Sequence, residues 1–280
     1  MSQEIHDEQQ IQGPETYTHG YGEEFQRFHT ARRAVDEAGF LVPHLRPGMT
    51  LLDCGCGPGS ITVDLAETIA PGETVGIDLA KSQLEHAQDL AAQRGVNNVR
   101  FELANVHDLP FPTASFDAVF AHNLLEHLRE PGQALREMRR VLKPGGVIGV
   151  QDDDWGTQLL EPMTPVLEKA LELLLRVAAR NGGDFFYARH QKRLLREAGF
   201  VRVEGHAMAR CYGTPERVQL FAATAARQLR EPALVTPALE QGWADQDTLQ
   251  AMIDAFVAWV QHPDAFRAVL CPAALGWAAE

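Results

Sequence analysis

One acid and three glycines stand at alternate positions between residues 53 and 59, in a pattern that could bind a ligand. Asp53, Gly55, Gly57 and Gly59 occupy every second position after an apolar pair. Because glycine has no side chain, another group can approach the backbone of such a turn closely. The residues from 60 to 70 have apolar side chains at helical spacing, and a helix N-terminus presents unpaired N–H groups with a partial positive charge. The pattern predicts a strand, a glycine turn and a helix, with a flat or polar ligand over the turn.

The glycine spacing bears on which ligand that is. A dinucleotide turn has the spacing Gly-x-Gly-x-x-Gly, whereas here the third glycine comes one place early. Pro58 also removes one N–H group that a phosphate would use. The spacing therefore favours a ligand other than a pyrophosphate, and a glycine turn without a ligand stays open as the plain structural alternative.

Further polar residues follow apolar runs that read as strands. Asp78 ends the run 74–78, and a carboxylate there can accept hydrogen bonds from both hydroxyls of a ribose. His122 ends the run 116–122, and three consecutive acids, Asp152, Asp153 and Asp154, follow the run 147–151. Those acids could orient a cationic acceptor, take a proton from a nucleophile, or lie solvated in a loop.

Five segments, in this order and spacing, resemble the class I S-adenosylmethionine-dependent methyltransferases. They are the glycine turn, Asp78, Asn105 with Val106, the sequence Leu-Glu-His-Leu at 125–128 and the sequence Leu-Lys-Pro-Gly-Gly at 142–146. The likeness is to the small-molecule type of this family, such as the ubiquinone and menaquinone biosynthesis methyltransferases. It covers residues 49–200.

The resemblance implies S-adenosyl-L-methionine as the cofactor and no metal. Asp78 would hold the ribose, Asn105 and Val106 the adenine, and the backbone of residues 55–59 the methionyl part. The family usually has an acid at the position of Asn105, whose amide oxygen can accept the same hydrogen bond. The implied cofactor-binding residues are Arg32, Asp53, Gly55, Cys56, Gly57, Gly59, Asp78, Leu79, Asn105, Val106 and His122.

The implied reaction moves a methyl group by in-line displacement to an O, N, C or S atom of a small-molecule acceptor. It depends mainly on alignment of the reacting atoms, and a poor nucleophile also needs a general base. The candidates for that base are His122, Asp153 and Asp154, whereas His127 is interpreted as a helix-packing residue.

The expected fold is α/β, with a doubly wound, mostly parallel seven-stranded sheet, helices on both faces and an antiparallel C-terminal edge strand. Residues 1–45 would form a tail and a lid helix (about 24–41), and residues 46–213 the methyltransferase core. Residues 214–262 read as helices and are expected to form a cap over the acceptor, with an oligomerisation surface as the alternative. Residues 263–280 would return to complete the sheet.

Composition narrows the partners. The formal net charge of −13 argues against nucleic acid as a substrate, because phosphate contacts need clustered Lys and Arg. It is more compatible with a neutral or cationic small molecule. The four cysteines form no Cys-x-x-Cys pair, and no apolar run is long enough for a membrane span, so we expect a cytoplasmic protein, with a homodimer left open. Two alternatives remain: a nicotinamide-dependent oxidoreductase and a cofactor-binding protein without methyl transfer.

Overall fold

The computed structural model describes residues 17–18 and 29–280, which fold around one mixed sheet. The strands in this part are β1 (Leu51–Cys54), β2 (Thr74–Asp78), β3 (Val99–Leu103), β4 (Phe116–His122), β5 (Leu142–Gln151), β6 (Leu159–Glu161), β7 (Arg202–Tyr212) and β8 (Phe266–Trp277). The helices are α1 (Ala34–Glu37), α2 (Ser60–Ile69), α3 (Lys81–Arg94), α4 (Pro131–Val141), α5 (Pro165–Asn181), α6 (Gln191–Glu197), α7 (Pro215–Gln228), α8 (Pro232–Glu240) and α9 (Gln246–Trp259).

The first five strands form the parallel half of the sheet. Their order is β3-β2-β1-β4-β5, and every neighbouring pair is parallel. Helices cover both faces, as adjacent residues of β1 illustrate: Leu51 packs in an apolar cluster with Leu65 of α2, and Leu52 in a different cluster with Met138 of α4. Adjacent strand side chains point to opposite faces, so the doubly wound α/β fold is confirmed.

The last strand, β8, is antiparallel, as predicted, but its position is more central than expected. It pairs with β5 through residues 273–277 and, along its other edge, with β7 over its full length. The short strand β6, which was not predicted, also pairs with the start of β8 and makes an eighth strand in the described residues. The C-terminal strand therefore has partners on both sides.

The N-terminal segment differs from its prediction. Residues 1–16, in the expected tail, and residues 19–28, which include the start of the expected lid helix at about residue 24, lie outside the described residues. Within the described part, no continuous helix reaches residue 41: Arg33 is extended (φ −128°, ψ 145°), and α1 that follows it has only 4 residues. Its side chains Ala34 and Ala38 pack against the sheet with Leu41.

The helices predicted between residues 214 and 262 are confirmed as α7, α8 and α9. Their apolar side chains pack against α5 in a third cluster, which includes Leu174, Phe221, Phe256 and Trp259. The part of the chain that the structure describes contains no helix with the length and apolar character to cross a membrane.

Candidate functional site

The main cavity, of about 650 Å³, opens at the carboxyl ends of β1, β2 and β4. Ligands bind at this edge in open α/β sheets because loops diverge there. Ten of the eleven residues predicted to bind the cofactor line it: Arg32, Asp53, Gly55, Cys56, Gly57, Asp78, Leu79, Asn105, Val106 and His122. Side chains that are far apart in the sequence thus lie around one cavity.

The glycine turn is bare where it faces this cavity. Gly55 and Gly57 have φ values of +72° and +52°, a left-handed conformation that favours glycine. A Cβ built on Gly57 would meet no atom within 4 Å. Gly59, the exception among the predicted residues, does not line the cavity: its Cβ would lie 2.6 Å from the Cβ of Ala87. Gly59 is therefore required for the close packing of α2 against α3 rather than for ligand contact.

Two acids hold the turn in place. The Asp78 carboxylate accepts hydrogen bonds from the N–H groups of Gly57 (3.0 Å) and Ala80 (2.9 Å), while burial raises its pKa. Asp53 is 3% exposed and accepts a hydrogen bond from the Thr62 hydroxyl at 2.6 Å. Burial raises the pKa of Asp53 to about 7. Asp78 thus supplies an acceptor at the cavity wall, whereas Asp53 supports the turn from beneath.

Leu79, Asn105 and Val106 line another part of the main cavity. Val106 is buried, while Leu79 and Asn105 are exposed. The amide oxygen of Asn105 accepts a hydrogen bond from the N–H of His107 at 2.9 Å. The cavity thus combines bare turn backbone, a carboxylate acceptor and the apolar side chains of Leu79 and Val106, so the residues present fit a nucleoside cofactor of the predicted kind.

His122 is enclosed by charged neighbours. Its Nε2 lies 3.2 Å from Glu37 Oε2, and its Nδ1 lies 3.3 Å from Arg32 Nη1. Burial lowers the pKa of His122, which keeps the ring neutral, with Nε2–H donating to Glu37 and Nδ1 accepting from Arg32. Both ring nitrogens are therefore engaged, and the lowered pKa makes His122 a weak base.

Arg210 joins His122 to the predicted acid Asp153. Its Nη2 donates to Glu37 Oε2 at 2.6 Å, and its Nη1 donates to both Asp153 oxygens at 2.6 and 2.8 Å. These cationic and hydrogen-bonding neighbours hold the pKa values of Glu37 and Asp153 below their usual range. The sequence analysis did not find Glu37 or Arg210. The only signals in the sequence were that Glu37 is an acid within a predicted helix and that Arg210 is a charged residue within a predicted strand.

The three consecutive acids have three different environments. Asp154 caps the turn at 155–157 through the N–H of Gly156 and pairs with Arg189 at 2.5 Å. It lines neither of the two cavities described here, so its prediction as a general base is not supported by its position. Asp152 accepts from Gln191 at 2.9 Å, and burial raises its pKa to about 7.

A second, smaller cavity of about 60 Å³ lies beside the main one. Both are lined by Tyr17, His29, Arg32, Asn123 and His127. The second cavity also has Asp153, Arg267 and four residues of α7 in its wall, and residues 231–233 at the start of α8 line the main cavity.

His127, which was interpreted as a packing residue, thus faces both cavities and also packs edge-on against Tyr17 (4.8 Å between ring centroids) and Phe185 (5.4 Å). His127 belongs to the Leu-Glu-His-Leu segment at 125–128, one of the segments that carry the family resemblance. Its neighbour Glu126 lines the second cavity, and burial raises the pKa of its carboxyl well above the usual range.

A sequence model of a family described as "Methyltransferase domain" matches residues 45–199, more than half of the chain. The chain belongs to this family. The matched segment contains the glycine turn, Asp78, Asn105 and His122, and it supplies most of the residues that line the main cavity. The resemblance found in the sequence is therefore confirmed for the methyltransferase domain.

Individual relatives agree with this assignment. The methyltransferase chain is 37% identical over 145 residues to a probable methyltransferase, ltbC, of Aspergillus luteorubrus, covering 49% of this chain and 51% of that protein. It is 32% identical over 177 residues to the demethylmenaquinone methyltransferase of Lactococcus lactis, covering 56% and 68%. The chain thus spans about half the length of the first of these curated relatives.

The fold likeness extends beyond the matched domain. A solved structure of a putative methyltransferase from Bacillus halodurans superposes with a TM-score of 0.59 at 16% identity, covering 86% of this methyltransferase chain and 97% of the other. At that identity the likeness concerns the fold alone.

Proposed function

We propose that this methyltransferase transfers a methyl group from S-adenosyl-L-methionine to an O, N, C or S atom of a small-molecule acceptor. The observation that carries the proposal is the main cavity, in which bare backbone at Gly55 and Gly57 lies beside the Asp78 carboxylate at the carboxyl ends of the strands. Family membership supports the same reading. The cofactor would supply an activated methyl group on a sulfonium.

Each part of the cavity then has a role in binding. Asp78 would accept hydrogen bonds from the ribose hydroxyls, Val106 would pack on the adenine, and the turn backbone would lie against the methionyl part. Arg32, at the cavity wall beside His122, would attract the methionyl carboxylate. These are proposals for the site residues, drawn from their common position on one cavity.

The general-base candidates indicate that catalysis depends on alignment of the acceptor rather than on removal of its proton. His122 and Asp153 are the two general-base candidates that line a cavity, and both have lowered pKa values. An efficient base has a pKa near the working pH, so neither is well suited to deprotonate a poor nucleophile. Alignment alone can lower a barrier by roughly 7–11 kcal/mol, and we propose that the acceptor is held ready to react.

The helices at residues 214–262 would close the acceptor side as a cap, because α7 and the start of α8 contribute to the cavity walls. A homodimer stays a prediction that light scattering of the purified chain can test. A nicotinamide oxidoreductase would share the strand, turn and helix and an acid such as Asp78, but the glycine spacing and the segment 142–146 argue against it. A cofactor-binding protein without methyl transfer would have the same main cavity.

One experiment separates these readings. The purified protein is incubated with S-adenosylmethionine and a library of small acceptors, and products are analysed by mass spectrometry. A product heavier by one methylene unit, formed together with S-adenosylhomocysteine, is the expected result. Binding of S-adenosylhomocysteine without any methylated product would favour the non-transferring alternative, and absence of binding would contradict the proposal.

A further inference from the structure

Arg267, on β8, is a buried cation with an unusual set of partners. Its side chain is 2% exposed, and its Nε donates to Gln158 Oε1 at 2.9 Å. Its guanidinium lies over the rings of Phe221 (4.4 Å) and Tyr212 (4.9 Å). Among residues 17–18 and 29–280, it forms no ion pair with a carboxylate, whereas buried charges are normally paired.

The Asp153 carboxylate, which lies near Arg267, already has another partner. Arg210 forms ion pairs with both Asp153 and Glu37. Arg267 is therefore left without a carboxylate partner of its own within the described residues, although the whole chain has a net charge of −13. Net charge reflects the solvated surface, so it does not predict the sign of this site.

Glu126 is another acid in the wall of the second cavity. Burial and the neighbouring carboxylates of Asp152 and Asp153 raise the pKa of Glu126 well above its usual range. This shift favours the protonated carboxyl group, which can donate a hydrogen bond. Its Oε2 is buried without a hydrogen-bond partner, and Glu126 lines the second cavity together with Arg267.

The second cavity has the size and walls for one end of a planar acid. At about 60 Å³ it admits a small group rather than a whole acceptor, since one water needs only about 10–15 Å³. Trp155, Tyr212 and Phe221 supply aromatic walls. The rest of an acceptor would extend past His127, which lines both cavities, towards the main one.

We propose that Arg267 is a specificity-determining residue that binds an anionic oxygen group, a carboxylate or a phenolate, of a planar aromatic acceptor. This inference rests on the proposed function, because it places that group in the acceptor side of the same site. The guanidinium would pair with the anionic oxygens, and the Glu126 carboxyl would donate a hydrogen bond to them. The aromatic walls would hold the ring.

The test compares charged probes with neutral analogues on the full chain saturated with S-adenosylhomocysteine. Benzoate against benzamide forms the carboxylate arm, and 4-nitrophenolate against nitrobenzene forms the phenolate arm, with affinities measured by calorimetry. We expect at least one anion to bind about tenfold or more tightly than its neutral analogue, because a buried charge pair is worth about that factor or more. The arm with the preference identifies the group.

Variants assign the preference to Arg267. Arg267→Gln should reduce the preference for the anion to less than about twofold. Arg267→Lys should retain much of the preference because the positive charge is kept, but not all of it, because the bidentate geometry of the guanidinium is lost. Arg202→Gln is the matched control: Arg202 is an exposed arginine on β7 that lies over Trp277 and lines neither cavity. It should leave the preference unchanged.

The outcomes separate the two proposals. If S-adenosylhomocysteine does not bind the wild-type chain, the proposed function fails. If it binds but neither anion binds in preference to its neutral analogue, the inference about Arg267 is overturned while the function stands. Persistence of the preference in a folded Arg267→Gln variant overturns it equally. Should that variant not fold, the wild-type comparison and Arg267→Lys decide.

Discussion

Asp78 combines two tasks in one carboxylate. It accepts hydrogen bonds from the backbone of Gly57 and Ala80, which shapes the turn, and it lines the cavity above that turn. Its pKa is raised by burial, so hydrogen-bond donors on a ligand would stabilise its ionised form. A ribose presents two such donors at once.

Asp78→Asn should weaken the binding of S-adenosylhomocysteine about 10- to 100-fold, because a hydrogen bond to a charged group contributes roughly 1.5–3 kcal/mol. Isothermal calorimetry measures the change. Asp108→Asn, at an exposed acid on the same side of the sheet, serves as the control and should bind as the wild type does. Unchanged affinity in Asp78→Asn would remove this acid from the proposed site.

Gly57 and Gly59 look alike in the sequence but differ in their surroundings. A Cβ at Gly57 meets open space, whereas a Cβ at Gly59 would lie 2.6 Å from the Cβ of Ala87. Alternate glycines predict a bare turn, yet they cannot say whether a ligand or a helix approaches each position. The sequence pattern therefore placed Gly59 among the cofactor-binding residues, whereas in the structure the group that approaches Gly59 is Ala87 of α3.

At the scale of elements, α7 connects two functions. Val218 and Ala222 contribute to the apolar cluster shared with α5 and α9, while Phe221, Thr224, Ala225 and Gln228 line the second cavity. A helix presents residues three and four positions apart on one face, so one helix can pack through some side chains and face a ligand with others. The cap proposal for residues 214–262 depends on this arrangement.

Ala225→Leu should reduce acceptor turnover about tenfold or more, because the larger side chain takes up space that the acceptor would need in a cavity of about 60 Å³. A steric cost of roughly 1–3 kcal/mol corresponds to about that factor. Affinity for S-adenosylhomocysteine should stay within about twofold of the wild type. Ala223→Leu on the same helix, at a half-buried position outside both cavities, is the matched control. Equal turnover of the two variants would contradict acceptor contact by α7.

At the scale of the whole molecule, buried charges link three distant parts of the chain. Arg210 of β7 contacts Glu37 near the N-terminus, 173 residues away, and Asp153 after β5. Removing one partner of a buried ion pair leaves the other charge uncompensated, which typically costs about 3–5 kcal/mol. The ion pairs of Arg210 therefore connect β7 to the segment around Glu37 and to Asp153 in the wall of the second cavity.

The pH dependence of unfolding should have opposite signs at two neighbouring acids. The pKa of Asp152 is raised from 3.8 to about 7 in the folded state, so between these values the unfolded chain loses a proton that the folded chain keeps, and stability falls as pH rises. Asp152→Asn removes this loss. The free energy of unfolding of this variant should exceed that of the wild type by a margin that grows from about pH 4 to pH 7 and then stays constant at no more than about 4 kcal/mol. Its melting temperature should be higher than that of the wild type over the same range.

The side-chain amide of the Asp152→Asn variant can be accommodated because Gln191, the partner of Asp152, has a buried Oε1 without a hydrogen-bond partner.

Asp153→Asn is the counterpart. Arg210 lowers the pKa of Asp153, so the ionised carboxylate stabilises the fold at neutral pH. This stability is lost only as pH falls below about 4. That variant should melt at a lower temperature than the wild type near pH 8. Differential scanning calorimetry measures both, and destabilisation by Asp152→Asn across this range would contradict the assignment.

The amino-acid sequence by itself determined the strand–turn–helix at residues 51–69, the ribose-binding candidate Asp78 and the helices after residue 214. These follow from local patterns, because apolar periodicity and glycine positions act on neighbouring residues. The parallel order of β1, β2 and β4 then brings their carboxyl ends to one edge, so most of the main cavity was predictable.

Only the tertiary structure decided which buried charges meet. Asp152, Asp153 and Asp154 are identical and adjacent in the sequence, yet they contact Gln191, Arg210 and Arg189, respectively. Arg267 became a candidate only when β8 placed it beside Phe221 and a cavity. The physical reason is that protonation and ion pairing depend on burial and on partners supplied by distant segments, for which no local pattern exists.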